Sequence, residues 1–140
     1  MRERRASREI ALQASFAQEL SEYPILTVEK NIIDNSDLSE ELMQFAKRLF
    51  ESSSQHKNEL DEYIKLKSEN WDFSRIAIVD RLIIRMAICE FLYFDDIPAK
   101  VSISEAIEIA KKFSTDDSSA FVNGILDAVL HMISAKGTNK

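Results

Sequence analysis

From Ile76 to Phe94 the chain reads IAIVDRLIIRMAICEFLYF, and this stretch constrains the fold more than any other. Placed at about 100° per residue, Val79, Ile83 and Met86 point one way. Ile84, Ile88 and Phe91 point another, and Ile78, Leu82 and Cys89 a third. A helix that is apolar all round must be covered all round. The pattern therefore predicts a helix over Ser74–Phe94 that stands as a central post for the other elements. Each large aliphatic side chain buried there contributes about 1.5–3 kcal/mol before the entropy of ordering is subtracted. The run also carries Asp80, Arg81, Arg85 and Glu90. That many ionised groups are too costly at the centre of a bilayer, so the stretch reads as a core helix and not as a membrane span.

The rest of the chain fits the same class. Two glycines and two prolines in 140 residues leave little turn chemistry for hairpins and favour long helices joined by polar loops. That length suits one domain over residues 1–140, or two tightly joined helical halves. A first helix is predicted from Glu3 to Leu20, with Ala6, Ile10, Ala14, Ala17 and Leu20 as its core stripe. Pro24 follows its end, and a short helix covers Thr27–Asp34. Ser39 reads as the N-cap of a helix bearing Leu42, Phe45, Ala46, Leu49 and Phe50. Another helix, Lys57–Lys67, carries Leu60, Tyr63, Ile64 and Leu66. Asp95, Asp96 and Pro98 interrupt the central helix. Ser102-Ile103-Ser104-Glu105 has the form of a capping box opening the next one, to Phe113. The last helix, to Ser134, aligns Phe121, Val122, Ile125, Leu126, Val129 and Ile133, and the tail AKGTNK reads as loose. Gly124 inside it implies close approach by another backbone or a ligand.

Several chemistries are excluded. One cysteine, Cys89, allows no intrachain disulfide and suits a reducing compartment. The N-terminus MRERRASREIA places charges where a secretory signal needs apolar residues, so a cytoplasmic protein is expected. No P-loop, no G-x-G-x-x-G and no G-x-S-x-G occurs. His131 follows Asp127 by one helical turn and His56 stands alone, which gives neither a metal site nor a catalytic triad. Asp80 and Glu90 are too far apart in sequence for a defensible carboxylate pair. The expectation is a protein without metal or cofactor, and not an enzyme. Asp80 can instead face a protein partner.

A net charge of −6 disfavours nonspecific nucleic-acid binding, so any RNA contact is expected to be local. Within residues 1–9, Arg2, Arg4, Arg5 and Arg8 outnumber Glu3 and Glu9. Arg4, Arg5, Arg8, Leu12 and Phe16 fall within about 120° on the helix, away from the predicted core stripe. Guanidinium groups grip phosphates and an aromatic ring stacks on an unpaired base, so this face suits single-stranded RNA. The other reading is a frayed, solvated terminus with Phe16 packed on a neighbouring helix.

From Val79 onward, VDRLIIRMAICEFLYFDDIPAKVSISEAIEIAKKFSTDDSSAFVNGILDAV resembles the C-terminal half of the NusB family in order and spacing. The most specific matches are Asp80-Arg81 with Ile84-Arg85, Glu90-Phe91-Leu92, Ile97-Pro98 with Lys100-Val101, Glu105-Ala106 with Ala110-Lys111, and Phe121-Val122-Asn123-Gly124. Arg8 to Ala14 is similar to the family's first helix, while residues 23–73 match only in helical character. The resemblance implies an all-α fold of about seven helices in two small bundles. It implies transcription antitermination, with binding to the single-stranded boxA element of ribosomal RNA leaders. The partner it implies is NusE, the ribosomal protein that doubles as a transcription factor, in a complex with RNA polymerase. By the same resemblance Arg4, Arg5, Arg8, Phe16, Lys100, Asp117 and Phe121 are the RNA-binding candidates, and Asp80 is the partner-binding one.

The chain departs from the family pattern at Ala99, where an aromatic is common, at Ser104 for Asn, and at Ser119-Ala120 for a His-Lys pair. Losing the aromatic and the lysine predicts weaker RNA binding alone and more reliance on the protein partner. Three alternatives stand beside this reading. One is a helical protein–protein module without RNA binding. Another is the RNA-binding domain of an rRNA methyltransferase, which would need an enzyme half. The last is a standalone enzyme, for which no catalytic constellation exists. A helical protein with an open partner face can also pair with itself as a homodimer.

Overall fold

The computed structural model describes residues 2–68 and 72–135, with the backbone alone described for Arg2, Glu3 and Asp116. Among these residues the secondary structure is entirely helical: α1 (Arg2–Ser21), α2 (Ile25–Val28), α3 (Glu40–Gln55), α4 (Lys57–Lys67), α5 (Ile78–Tyr93), α6 (Ala99–Phe113) and α7 (Asp116–Ala135). A π-helical turn, Glu29–Ile33, continues α2, and a 3₁₀ turn, Phe73–Arg75, precedes α5. The chain divides into two compact units, Met1–Gln55 and His56–Lys140. The polar tail beyond Ala135 lies outside the described residues.

In the first unit, α1 packs against α3 and the π turn. The core stripe read from the sequence is corrected here. Ala6 is exposed, and Leu20 is 62% exposed. The buried face is Ser7, Arg8, Ala11, Leu12, Ala14 and Ser15, so only Ala14 of the predicted stripe is fully covered. The reason is that polar groups on this face find partners on α3. The Ser7 hydroxyl donates to the Leu42 carbonyl at 2.9 Å, and the guanidinium of Arg8 lies over the Phe45 ring. A hydroxyl satisfied in this way is buried at little cost, which apolar periodicity does not register. Ser39 caps α3 as expected, accepting the Leu42 N–H on its hydroxyl at 3.3 Å. Leu49 and Phe50 are fully buried behind it.

In the second unit, α5 is flanked by α4, α6 and α7, and Leu82 through Phe91 is buried without interruption. The all-round apolar reading holds within this unit, whereas the first unit builds a core of its own. Polar groups inside it are matched. Arg85 donates from Nε and Nη2 to both carboxylate oxygens of Asp61 at 2.9 and 3.0 Å, tying α5 to α4. The Ser102 hydroxyl donates to Glu90 at 2.6 Å, tying α6 to α5. The capping box expected at Ser102–Glu105 is therefore wrong. Pro98 opens α6 four residues earlier, with its carbonyl accepting the Val101 N–H. Ser102 and Glu105 are both buried. On the outside of this unit the His56 ring stacks on Tyr93 at 4.1 Å. The Tyr93 hydroxyl donates to Glu59, and that bond pushes its pKa up to about 12.

Asp117–Ala135 is long and apolar enough to cross a membrane by length and composition. Yet Val122, Leu126 and Val129 are fully buried in a helix that packs on α4, α5 and α6, as a core helix does. Gly124 faces open space, and a Cβ added there meets nothing within 4 Å. No other backbone among the described residues approaches this glycine closely. Gly124→Ala should then stabilise the protein by about 0.5–1 kcal/mol through reduced backbone freedom in the unfolded chain. Denaturant titration of the two proteins checks this.

Candidate nucleic-acid interface

The candidate residues fall in both units, and each set is built differently. In the first unit Phe45, on α3, organises the arginines of α1. Arg4 stands over its ring at 4.6 Å and Arg8 at 5.4 Å from the centroid. Cation–π contact restricts two long side chains that otherwise move freely. Arg8 is only 2% exposed, so the expectation that it reaches out with Arg4 and Arg5 is corrected. Four residues on, Leu12 is 4% exposed and also inside. Arg4 and Arg5 are half-buried, and Phe16, at 37% exposure, presents its ring outward. The strip Arg4-Arg8-Leu12-Phe16 thus has a sealed middle and accessible ends.

In the second unit a cavity of about 290 Å³ opens between the start of α5 and the start of α7. Arg75, Ile76, Ala77, Asp80, Asp117, Ser118 and Phe121 line it. Asp117 and Phe121 were expected on one ligand and Asp80 on another, and the fold puts all three around one space. Asp80 is 6% exposed, and its Oδ1 is out of solvent with no hydrogen-bond partner among the described residues. Such an acceptor is costly, on the order of 1–3 kcal/mol, until a donor arrives. Lys100 is exposed on the second residue of α6 and does not line the cavity.

The wall of the cavity has a definite chemistry. Two carboxylates face one guanidinium, with a half-buried aromatic ring beside them. A phosphate would be repelled there, whereas a group rich in N–H donors, such as the edge of a base or a basic side chain, is favoured. At the N-terminus of α7 the Ser118 amide is already engaged within the chain. The Ser118 N–H is taken by the Thr115 hydroxyl at 3.0 Å, so Thr115 caps this helix internally. Among the described residues no group of three or more His, Cys, Asp or Glu could hold a metal ion.

Sequence reasoning missed Arg75, Ile76, Ala77 and Ser118 as cavity residues, and Phe45 as the ring beneath the arginines. Phe45 had been read only as a core residue of α3. The cavity residues come from segments about forty positions apart, and periodicity within one helix carries no signal of that juxtaposition.

Comparison with known proteins agrees with this architecture. The model of the NusB family matches residues 5–131. The transcription antitermination protein NusB of Chloroherpeton thalassium is 43% identical over 135 residues, which cover 96% of this chain and 64% of that protein. The T. maritima NusB crystal structure superposes with a TM-score of 0.81 at 33% identity, covering 91% of this chain and 90% of that one. A structure of antitermination factors NusB and NusE with double-stranded RNA shares the fold at a TM-score of 0.84 and 20% identity, covering 94% of this chain and 98% of that one. Its helices, its buried α5 and its matched length place the chain in the NusB family.

Proposed function

We propose that the protein is a transcription antitermination factor of the cytoplasm, without catalytic activity. It binds the single-stranded boxA element of ribosomal RNA leaders together with NusE and joins the antitermination complex on RNA polymerase. Family membership supports this, as does the solved relative bound to NusE and RNA. The observation that carries the reading is the cavity in which the Phe121 ring lies beside the acceptor groups of Asp80 and Asp117. A ring and an adjacent carboxylate are what an unpaired base needs for stacking and for the hydrogens of its amino group. In this reading Asp117 and Phe121 hold a base, while Lys100, Arg4 and Arg5 contact the backbone and Phe16 stacks. Arg8 acts as a positioning residue that fixes Phe45 and, through it, Arg4. The unpartnered Oδ1 of Asp80 accepts a donor from NusE.

A second reading, protein interaction without RNA, draws on the same carboxylates and on the net charge of −6. Salt dependence separates the two. Each phosphate neutralised on a single strand adds about −0.7 to the slope of log K against log salt. Anisotropy titration with a boxA oligomer should give a slope beyond −1, shallower for an Arg4→Ala/Arg5→Ala protein whose helicity is unchanged. A flat response in the parent protein would favour the interaction-only reading. The departures at Ala99, Ser119 and Ala120 should make RNA binding weaker without NusE than with it, and tight binding by the protein alone would contradict that. Self-association through the partner face would show as a dimer that NusE dissociates.

A further inference from the structure

The cavity has a cationic neighbour that the reading above does not use. Phe73, in the 3₁₀ turn, carries two cations on its ring: the Arg81 guanidinium and the Lys65 ammonium each lie 5.0 Å from its centroid. Arg81 comes from α5, one residue after Asp80, and Lys65 from α4. Arg75, two residues after Phe73, lines the cavity itself. Among the described residues neither Arg81 nor Arg75 has an ion-pair partner. Lys65 meets only Glu62, at 3.6 Å on an exposed surface, where such a pair is worth little. The Arg81 Nε is shielded from water and without a hydrogen-bond partner among the described residues. Two like charges brought together on one ring, in a chain of net charge −6, repel each other until an anion joins them.

The geometry points to a phosphate-binding rim made by Lys65 and Arg81 on Phe73, with Arg75 at the cavity mouth, that holds the backbone of the RNA strand whose base enters the cavity. This rests on the RNA reading above and extends it. The cavity wall rejects phosphate because of Asp80 and Asp117, so the strand's backbone must lie outside it. The ring holds Arg81 and Lys65 in place, so little side-chain entropy is lost when they bind. An arginine whose terminal N–H groups have no hydrogen-bond partner among the described residues, beside a lysine, suits phosphate oxygens better than it suits a neutral partner.

The test is anisotropy titration of the full chain with a boxA oligomer and with a scrambled oligomer, across a salt series. Lys65→Gln alters an exposed side chain and should reduce the log–log salt slope by about 0.7. Arg81→Gln should do the same, and the double variant should lose roughly tenfold in affinity at low salt, equally on both oligomers. Arg81→Lys keeps the charge and should retain the parent slope, while circular dichroism confirms the fold of each variant. If the parent protein binds RNA and the double variant keeps its slope and affinity, the rim is not a phosphate site. If the double variant keeps RNA but loses the ribosomal-protein partner, the rim serves an acidic protein surface and the proposal falls. If the parent binds neither oligomer, the RNA reading fails first and this proposal with it.

Discussion

Replacing Arg85 by Met will destabilise the protein by about 3–5 kcal/mol. The magnitude comes from what remains behind. Arg85 and Asp61 have side chains only 5% and 11% exposed, and the guanidinium engages both carboxylate oxygens. Removing the cation leaves an uncompensated carboxylate in a low-dielectric interior, where water cannot replace the lost bonds. The second half of the expectation is a recovery. Asp61→Leu combined with Arg85→Met should restore most of the lost stability, because two apolar groups of similar volume need no counter-charge. Urea denaturation of the two single variants and the double variant completes the cycle. Additive losses would show that the two side chains do not act as a pair.

Glu29→Gln should stabilise the protein, and only above about pH 5. Glu29 lies in the π turn at 5% exposure, and its Oε2 has no hydrogen-bond partner among the described residues. Burial raises its pKa from 4.5 to about 7, helped by a hydrogen bond and charge repulsion from Glu51 and by Asp34, against Lys47. A carboxyl held above its unfolded pKa binds a proton more tightly when folded. Its contribution is therefore fully present below pH 4.5 and is lost as the pH rises through 7. At about 1.4 kcal/mol per pH unit, the loss is on the order of 3 kcal/mol by pH 8. Glutamine stays neutral at every pH and can still donate to Glu51. The stability difference between variant and parent should be small at pH 4.5 and should open steadily to pH 8, as followed by denaturation at several pH values. Parallel curves would show that Glu29 is ionised throughout.

The two effects mark where sequence reasoning stops. Arg85 was visible as a charge inside the apolar run and was used to exclude a membrane span. Its partner was not visible, because Asp61 lies 24 positions away on another helix. Glu29 drew no attention, since a lone glutamate in a short polar segment reads as solvated. At the site, Asp117, Phe121 and Asp80 were legible one by one from the resemblance. Their meeting around one cavity was not.

The sequence alone determined that the chain is helical and that α5 is covered on every side. It also determined where the breaks fall at Pro24, Ser39 and Pro98, because helix propensity, capping and apolar periodicity act within a few residues. Only the tertiary structure decided which face of α1 is inward, what Ser102 and Arg8 contact, and which charges share a ring or a cavity. Those outcomes depend on hydrogen bonds and ion contacts between segments distant along the chain. Such contacts offset the cost of burying a serine or an arginine, which apolar periodicity within one helix does not count.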